Sequence, residues 1–161
     1  MIVVAEFRGK FELAINNNTT SKIQSYIDRY EDIHLIELLG KELYDLFIAN
    51  PADPEFLAIS EPFTFQSDCG KVWQSQGMKS MLLGFVYFMY TRDNKTTQTT
   101  AGVVKLKADL SSVPSNMSTM NWQRYNESVD TYDAIQAYIL DNESDYPTFK
   151  GVNKQYIIPN F

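Results

Sequence analysis

Met78-Lys79-Ser80-Met81-Leu82-Leu83-Gly84-Phe85-Val86-Tyr87-Phe88-Met89-Tyr90 is the most apolar stretch of the chain and carries one charge, Lys79. Its apolar residues fall on every face of a helix, not on one stripe. A helix of that kind must be surrounded by other elements, so it predicts a helical fold built around residues 78–90. Met78, Met81 and Met89 suit it to irregular neighbours. The unbroken apolar part, Met81 to Tyr90 with Gly84 inside it, is about half the ~20 residues that a membrane span needs, so it reads as a core helix.

Helical periodicity continues on both sides. Downstream, Trp122, Tyr125, Val129, Tyr132, Ile135 and Ile139 recur every three or four residues and predict a long helix over roughly 119–141. Upstream, Ser21 followed by Gln24 matches a capping box, and Ile23, Tyr26, Ile27 and Tyr30 then predict a first helix over roughly 21–31. Ile33, Ile36, Leu39, Leu43 and Phe47 carry the stripe onward, with Gly40 read as a break and Lys41 to Ala49 as a separate helix. Asn50-Pro51 and Asp53-Pro54 close it. Residues 55–75 predict a loop with short extended or helical pieces.

Three segments lie outside this periodicity. Residues 3–14 alternate polar and apolar around Gly9, which predicts an extended arm or a small hairpin leaning on the body or a neighbour. Residues 91–118 are rich in Thr, Ser and Asn, and a loop of that length inside a compact domain usually has a task. Within it, Val103-Val104-Lys105-Leu106-Lys107 has the alternation of a short strand. The tail from Gly151 to Phe161, with Tyr156-Ile157-Ile158-Pro159, is expected to extend along a surface. The organisation expected is a single domain over 1–161. It is mainly α, a bundle of about four to five helices with an N-terminal arm (1–18), a helical body (19–146) holding the polar loop 91–118, and a C-terminal tail (147–161).

With 161 residues, 44% of them hydrophobic and 21% charged, the composition is globular, and a domain of this size buries about 70% of its unfolded surface. Ten Tyr and ten Phe point either to a Tyr-rich core or to a core whose edges become interfaces. The net charge of −6 disfavours binding nucleic acid over the whole surface. The charge is uneven: residues 1–80 hold 7 Lys/Arg against 12 Asp/Glu, and residues 81–161 hold 7 against 8. Between residues 92 and 107, Arg92, Lys95, Lys105 and Lys107 face only Asp93, so this part of the polar loop is locally basic.

Little in the sequence points to catalytic chemistry. His34 is the only histidine and Cys69 the only cysteine, so there is no His pair, no disulfide and no thiolate cluster to hold a metal. His34 reads as a partly exposed structural residue, and Cys69 as a small hydrophobe or a surface thiol. No glycine-rich phosphate loop is present. Asp28, Glu31 and Asp32, like Asp141, Glu143 and Asp145, read as solvated faces. A carboxylate pair for hydrolysis is the remaining enzyme reading. No basic n-region precedes the first apolar residues, so no signal peptide is expected, and the Asn-x-Ser/Thr triplets reflect composition rather than glycosylation.

Ile36-Glu37-Leu38-Leu39-Gly40-Lys41-Glu42-Leu43-Tyr44-Asp45-Leu46 resembles an early block of phage head–tail connector, or head-completion, proteins, in which an LLG-x-x-LY-x-x-L element joins two helices. A second block follows in order: the apolar helix Met81 to Tyr90, Asn94, and Thr100-Ala101-Gly102-Val103-Val104. The third is the Tyr-rich helix Trp122 to Leu140 with Tyr146-Pro147 and Phe149. Together they cover roughly 20–150, and the Asn/Thr-rich style is similar to proteins of Bacteroidetes-infecting crAss-like phages. Segments 1–14 and 150–161 have no counterpart in that pattern.

The resemblance implies a non-enzymatic virion protein without cofactor or metal. It would form a homo-oligomeric ring at the head–tail junction, between the portal protein and tail proteins, with packaged DNA passing through. Interface candidates are Lys95, Thr97, Val103, Lys105 and Lys107 in the loop, and Tyr156, Ile157, Ile158 and Phe161 in the tail. The basic loop reads as reaching a neighbouring subunit, facing DNA, or simply solvated. The alternative from another class is a cytoplasmic helical adaptor or regulatory module that binds one partner.

Overall fold

Asn16 decides where the first helix starts. Its side-chain oxygen accepts from the backbone N–H of Asn18 and Thr19 at 2.9 and 3.0 Å, while the Thr19 hydroxyl accepts from the Asn16 N–H at 2.9 Å. Two orphan donors are satisfied reciprocally, and helix α1 runs over Asn17–Leu39, a turn earlier than the Ser21 signal suggests and through the 31–39 stretch without interruption. A computed structural model describes residues 2–94, 96–99, 102–105 and 117–157 of the chain, with the backbone alone at 96–99, 102–105 and 117–118.

Gly40 ends α1 as expected. Its φ of 80° lies in the region that side chains with a Cβ avoid, so the chain turns there and restarts as α2, Lys41–Ala49. Pro54 occupies the first turn of α3, Pro54–Ser60, where its missing N–H costs nothing. Strands β1, Phe63–Gln66, and β2, Val72–Ser75, form an antiparallel hairpin with Phe65 opposite Trp73. The central helix α4 spans Met78–Asp93 and α5 spans Met117–Asp141. Between these two, β3 (Thr96–Thr99) pairs antiparallel with β4 (Gly102–Lys105) as a second two-stranded sheet. Among the described residues the architecture is thus five α-helices with two small hairpins, mainly α as the periodicity predicts.

Helix α4 is enclosed as its composition requires. Met78, Met81, Leu82, Phe85 and Val86 are 3% exposed or less, with α5 on one side and α1 on another. Gly84 has a packing reason: a Cβ there would lie 1.9 Å from the Ser128 hydroxyl of α5, so the two helices approach through the missing side chain. Phe85 sits at the junction, its ring centroid 5.2 Å from Tyr125 of α5 and 4.7 Å from His34 of α1. No described helix is long and apolar enough to cross a membrane.

The N-terminal segment departs from expectation. Residues 2–11 form neither an extended arm nor a hairpin at Gly9, but two 3₁₀ turns, Val4–Glu6 and Gly9–Phe11. The reason is apolar burial: Ile2, Phe7 and Phe11 are 4%, 1% and 4% exposed and belong to the main core. Glu31 is drawn in with them, accepting the Ile2 N–H at 3.0 Å, and burial pushes its carboxyl above the usual range.

The loop expected over 91–118 is partly regular. Helix α4 claims residues 91–93, the β3–β4 hairpin follows, and α5 begins at Met117. The short strand expected from Val103 is β4, starting one residue earlier.

Candidate interface

The candidate interface has two parts, the β3–β4 hairpin and the C-terminal tail. The hairpin register pairs Thr96 with Lys105, Thr97 with Val104, Gln98 with Val103 and Thr99 with Gly102. Three of the sequence candidates, Thr97, Val103 and Lys105, therefore fall in one four-by-four ladder. Lys95 and Lys107 lie outside the described residues. Beyond pairing with each other, β3 and β4 make no extensive contact with any other described element. A two-stranded hairpin without a supporting face is marginal in water, so this one has unspent edges on both sides.

The tail runs along the body as expected, and its attachment is specific. Tyr146 anchors its start: 2% exposed, it donates its hydroxyl to the Glu55 carbonyl at 2.6 Å. The Lys150 and Val152 N–H groups then donate to the Leu39 and Glu37 carbonyls at 3.2 and 2.8 Å, capping the end of α1. Tyr132 and Gln136 of α5 donate to the Val152 carbonyl at 2.5 and 3.2 Å. Asn126 clamps Ile157 from both sides: its oxygen accepts the Ile157 N–H at 2.9 Å, and its amide donates to the Ile157 carbonyl at 3.0 Å. The Tyr156 hydroxyl donates to Asp130 at 2.9 Å and lies 3.1 Å from Asp133.

Lys154 enters the body deeply, at 11% side-chain exposure, while Phe149 and Ile157 pack partly buried against the core. Its ammonium donates to the Glu37 carboxylate and lies 2.9 Å from Nδ1 of His34. It also sits 5.0 Å from the Phe85 ring centroid and 5.6 Å from that of Tyr132, within reach of both ring faces. Nδ1 also lies 3.3 Å from the Glu37 carboxylate, so it accepts from Lys154 in one tautomer and donates to Glu37 in the other. Nε2 is buried without a partner.

The charges respond accordingly. Beside His34 and Lys154, the Glu37 carboxyl is held down to about 2, against the opposing effect of its own burial. Burial pushes the His34 imidazole below its ordinary range, and the Lys154 charge adds to that effect. Burial pushes the Asp133 carboxyl up while the Tyr156 hydrogen bond works against it.

Tyr156 and Ile157, expected to face partners, are engaged within the chain, while Ile158 and Phe161 lie outside the described residues. His34, expected to be partly exposed, is 3% exposed because the aromatic rings of Tyr30 and Phe85 close over it. Cys69 is a surface thiol, 3.2 Å from the Ser67 hydroxyl at the turn between β1 and β2. Sequence reading missed Lys154, Glu37, Asn126, Asp130 and Asp133. The usable signal was the spacing Lys154-x-Tyr156-Ile157, in which an extended tail presents alternate residues to one surface. Asp130 and Asp133 both lie within hydrogen-bond reach of the Tyr156 phenol and line a cleft with Lys71, Trp73 and Glu127.

Comparison with protein-family models, with curated proteins and with solved structures gives no match.

Proposed function

We propose that this chain is a structural virion protein that assembles with copies of itself into a ring of about a dozen at the head–tail junction, consistent with closed cyclic symmetry. The ring binds the portal on one side, offers a platform for tail proteins on the other and extends the DNA channel. The observation that carries the proposal is the β3–β4 hairpin, a sheet of its own that makes no extensive contact with any other described element. Paired only with itself, it gains most by adding a strand or packing against a neighbour.

Two further features support the reading. The LLG-x-x-LY block coincides with the α1–Gly40–α2 turn, the place where such a block joins two helices in connector proteins. The net charge of −6 suits a wall past which DNA slides without sticking, with the locally basic hairpin segment as the point of closest approach.

Native mass spectrometry of the chain, alone and mixed with the portal ring of the same virus, tests the proposal. The expected result is a closed oligomer in at least the mixed sample, and its loss when residues 95–107 are replaced by a short Gly-Ser linker. A chain that stays monomeric at high concentration and leaves the portal ring unbound rejects it. A stable one-to-one complex with a single partner favours the adaptor reading instead.

A further inference from the structure

The tail differs from the rest of the chain in how it is held. Between residues 150 and 157 the tail inserts one side chain deeply, Lys154, whereas Val152 and Tyr156 remain 55% and 48% exposed. Ile157 also packs, partly buried, against the core, and the other fastenings are polar and aromatic-ring contacts with fixed groups of the body. Those groups belong to α1, α4 and α5, and the helices that carry them pack on one another without the tail. The body therefore presents a preformed receptor: a carboxylate flanked by two aromatic rings for an ammonium, an asparagine that reads one residue's backbone in both directions, and a carboxylate pair for a phenol.

Gly151 adds a steric condition. A Cβ there would lie 2.1 Å from the Leu38 carbonyl, so the groove accepts only a glycine at that place. The recognised pattern is thus Gly-x-x-Lys-x-Tyr-Ile in extended form, which is specific enough to act as a ligand sequence.

We propose that the α1–α4–α5 face is a peptide-binding groove whose ligand is the segment 150–157, and that the segment leaves it as a unit, so that the groove also takes the same segment from a second copy of the chain. The occupant is a second copy because the groove reads this chain's own sequence at four positions. Exchange between copies keeps every contact of the closed form, which is what makes swapping of a terminal segment inexpensive. The inference does not depend on the ring: it holds for any copy number.

A labelled peptide of residues 148–161, added to the full-length chain, tests it by fluorescence anisotropy. In full-length Lys154→Met the resident tail has lost its ammonium, so the peptide is expected to bind at least tenfold more tightly than to the wild type, whose groove is filled. A peptide carrying the same Lys154→Met change is expected to bind at least tenfold more weakly. No binding to the variant, or equal binding of both peptides, overturns the proposal. Should the variant fail to fold, limited trypsin digestion of the wild type decides: cleavage after Lys150 and Lys154 ahead of any cut in the helices supports separable release. Cleavage there only at the rate of global unfolding overturns it.

Discussion

The two ends of this chain both lie outside the helical periodicity and are held by different means. Residues 2–11 place charged residues between apolar ones, whereas 150–157 run Lys-Gly-Val-Asn-Lys-Gln-Tyr-Ile. The first is fixed by apolar volume, with Ile2, Phe7 and Phe11 inside the common core. The second is fixed mainly by directional polar contacts to Leu39, Glu37, Gln136, Tyr132 and Asn126 and by one inserted ammonium, with Ile157 only partly buried against the core. Apolar burial is lost only when the core opens, whereas hydrogen bonds to water replace hydrogen bonds to protein at small net cost. One end is therefore part of the fold, and the other is a ligand of it.

The largest effect that can break this comparison is at the N-terminus. Phe7→Ala should lower unfolding free energy by about 3–5 kcal/mol, the usual cost of removing a fully buried Phe. Urea denaturation checks it, and a loss below ~1 kcal/mol would place this end with the tail. Next is Gly151→Ala. The added methyl collides with the Leu38 carbonyl and with Nε2 of Gln136 at 2.4 Å, so the tail must lift. We expect a loss of about 1–3 kcal/mol together with faster trypsin cleavage after Lys154 and an unchanged near-ultraviolet spectrum of the body. A variant whose tail stays as resistant as wild type would contradict the tight passage.

The smallest effect is electrostatic. Glu37→Gln leaves Lys154 without its counter-charge, and because Glu37 is partly exposed the expected loss is about 1–2 kcal/mol at neutral pH. The variant also changes the acid limb. Glu37 titrates at about 2 in the folded chain against 4.5 unfolded. Its contribution is therefore complete above pH 4.5 and fades as pH falls from there toward 2. His34 acts in the same direction at higher pH. Its folded pKa lies below 6.5, so the unfolded chain takes up the proton first and stability declines as pH drops below 6.5. Urea midpoints measured from pH 7 to 2.5 should show both declines in the wild type and a smaller lower one in Glu37→Gln, where Glu6, held down by Lys79, still contributes. Superimposable curves would remove Glu37 from the tail's attachment.

Much of the body was legible in the sequence because its elements are governed by local rules. The break at Gly40 follows from one residue's φ, and the position of α4 from apolar residues on all faces. The start of α1 was less legible, since Ser21 with Gln24 offers a capping signal and only the reciprocal Asn16–Thr19 bonds place the cap a turn earlier. Phe7 and Phe11 were hidden because charged neighbours at Glu6, Arg8 and Lys10 impose an apparent strand period on two short turns. Lys154 was illegible for a different reason: its partners Glu37 and His34 are 117 and 120 residues away, and nothing local marks a lysine as buried. Val103 and Lys105 lie on a strand that local alternation marks, whereas β3 with Thr97 carries no such pattern, and what these residues bind is not written in their spacing.

The most direct measurement is native-state hydrogen exchange on the full-length chain. The Lys150, Val152 and Ile157 amides donate to Leu39, Glu37 and Asn126, and the Phe7 and Phe11 amides donate within their own turns at 3.2 Å. The account predicts that the three tail amides exchange together and well ahead of the Phe7, Phe11 and α4 amides, which exchange at the rate of global unfolding. Tail amides protected to the same degree as α4, or N-terminal amides exchanging with the tail, would contradict the division between a core end and a ligand end.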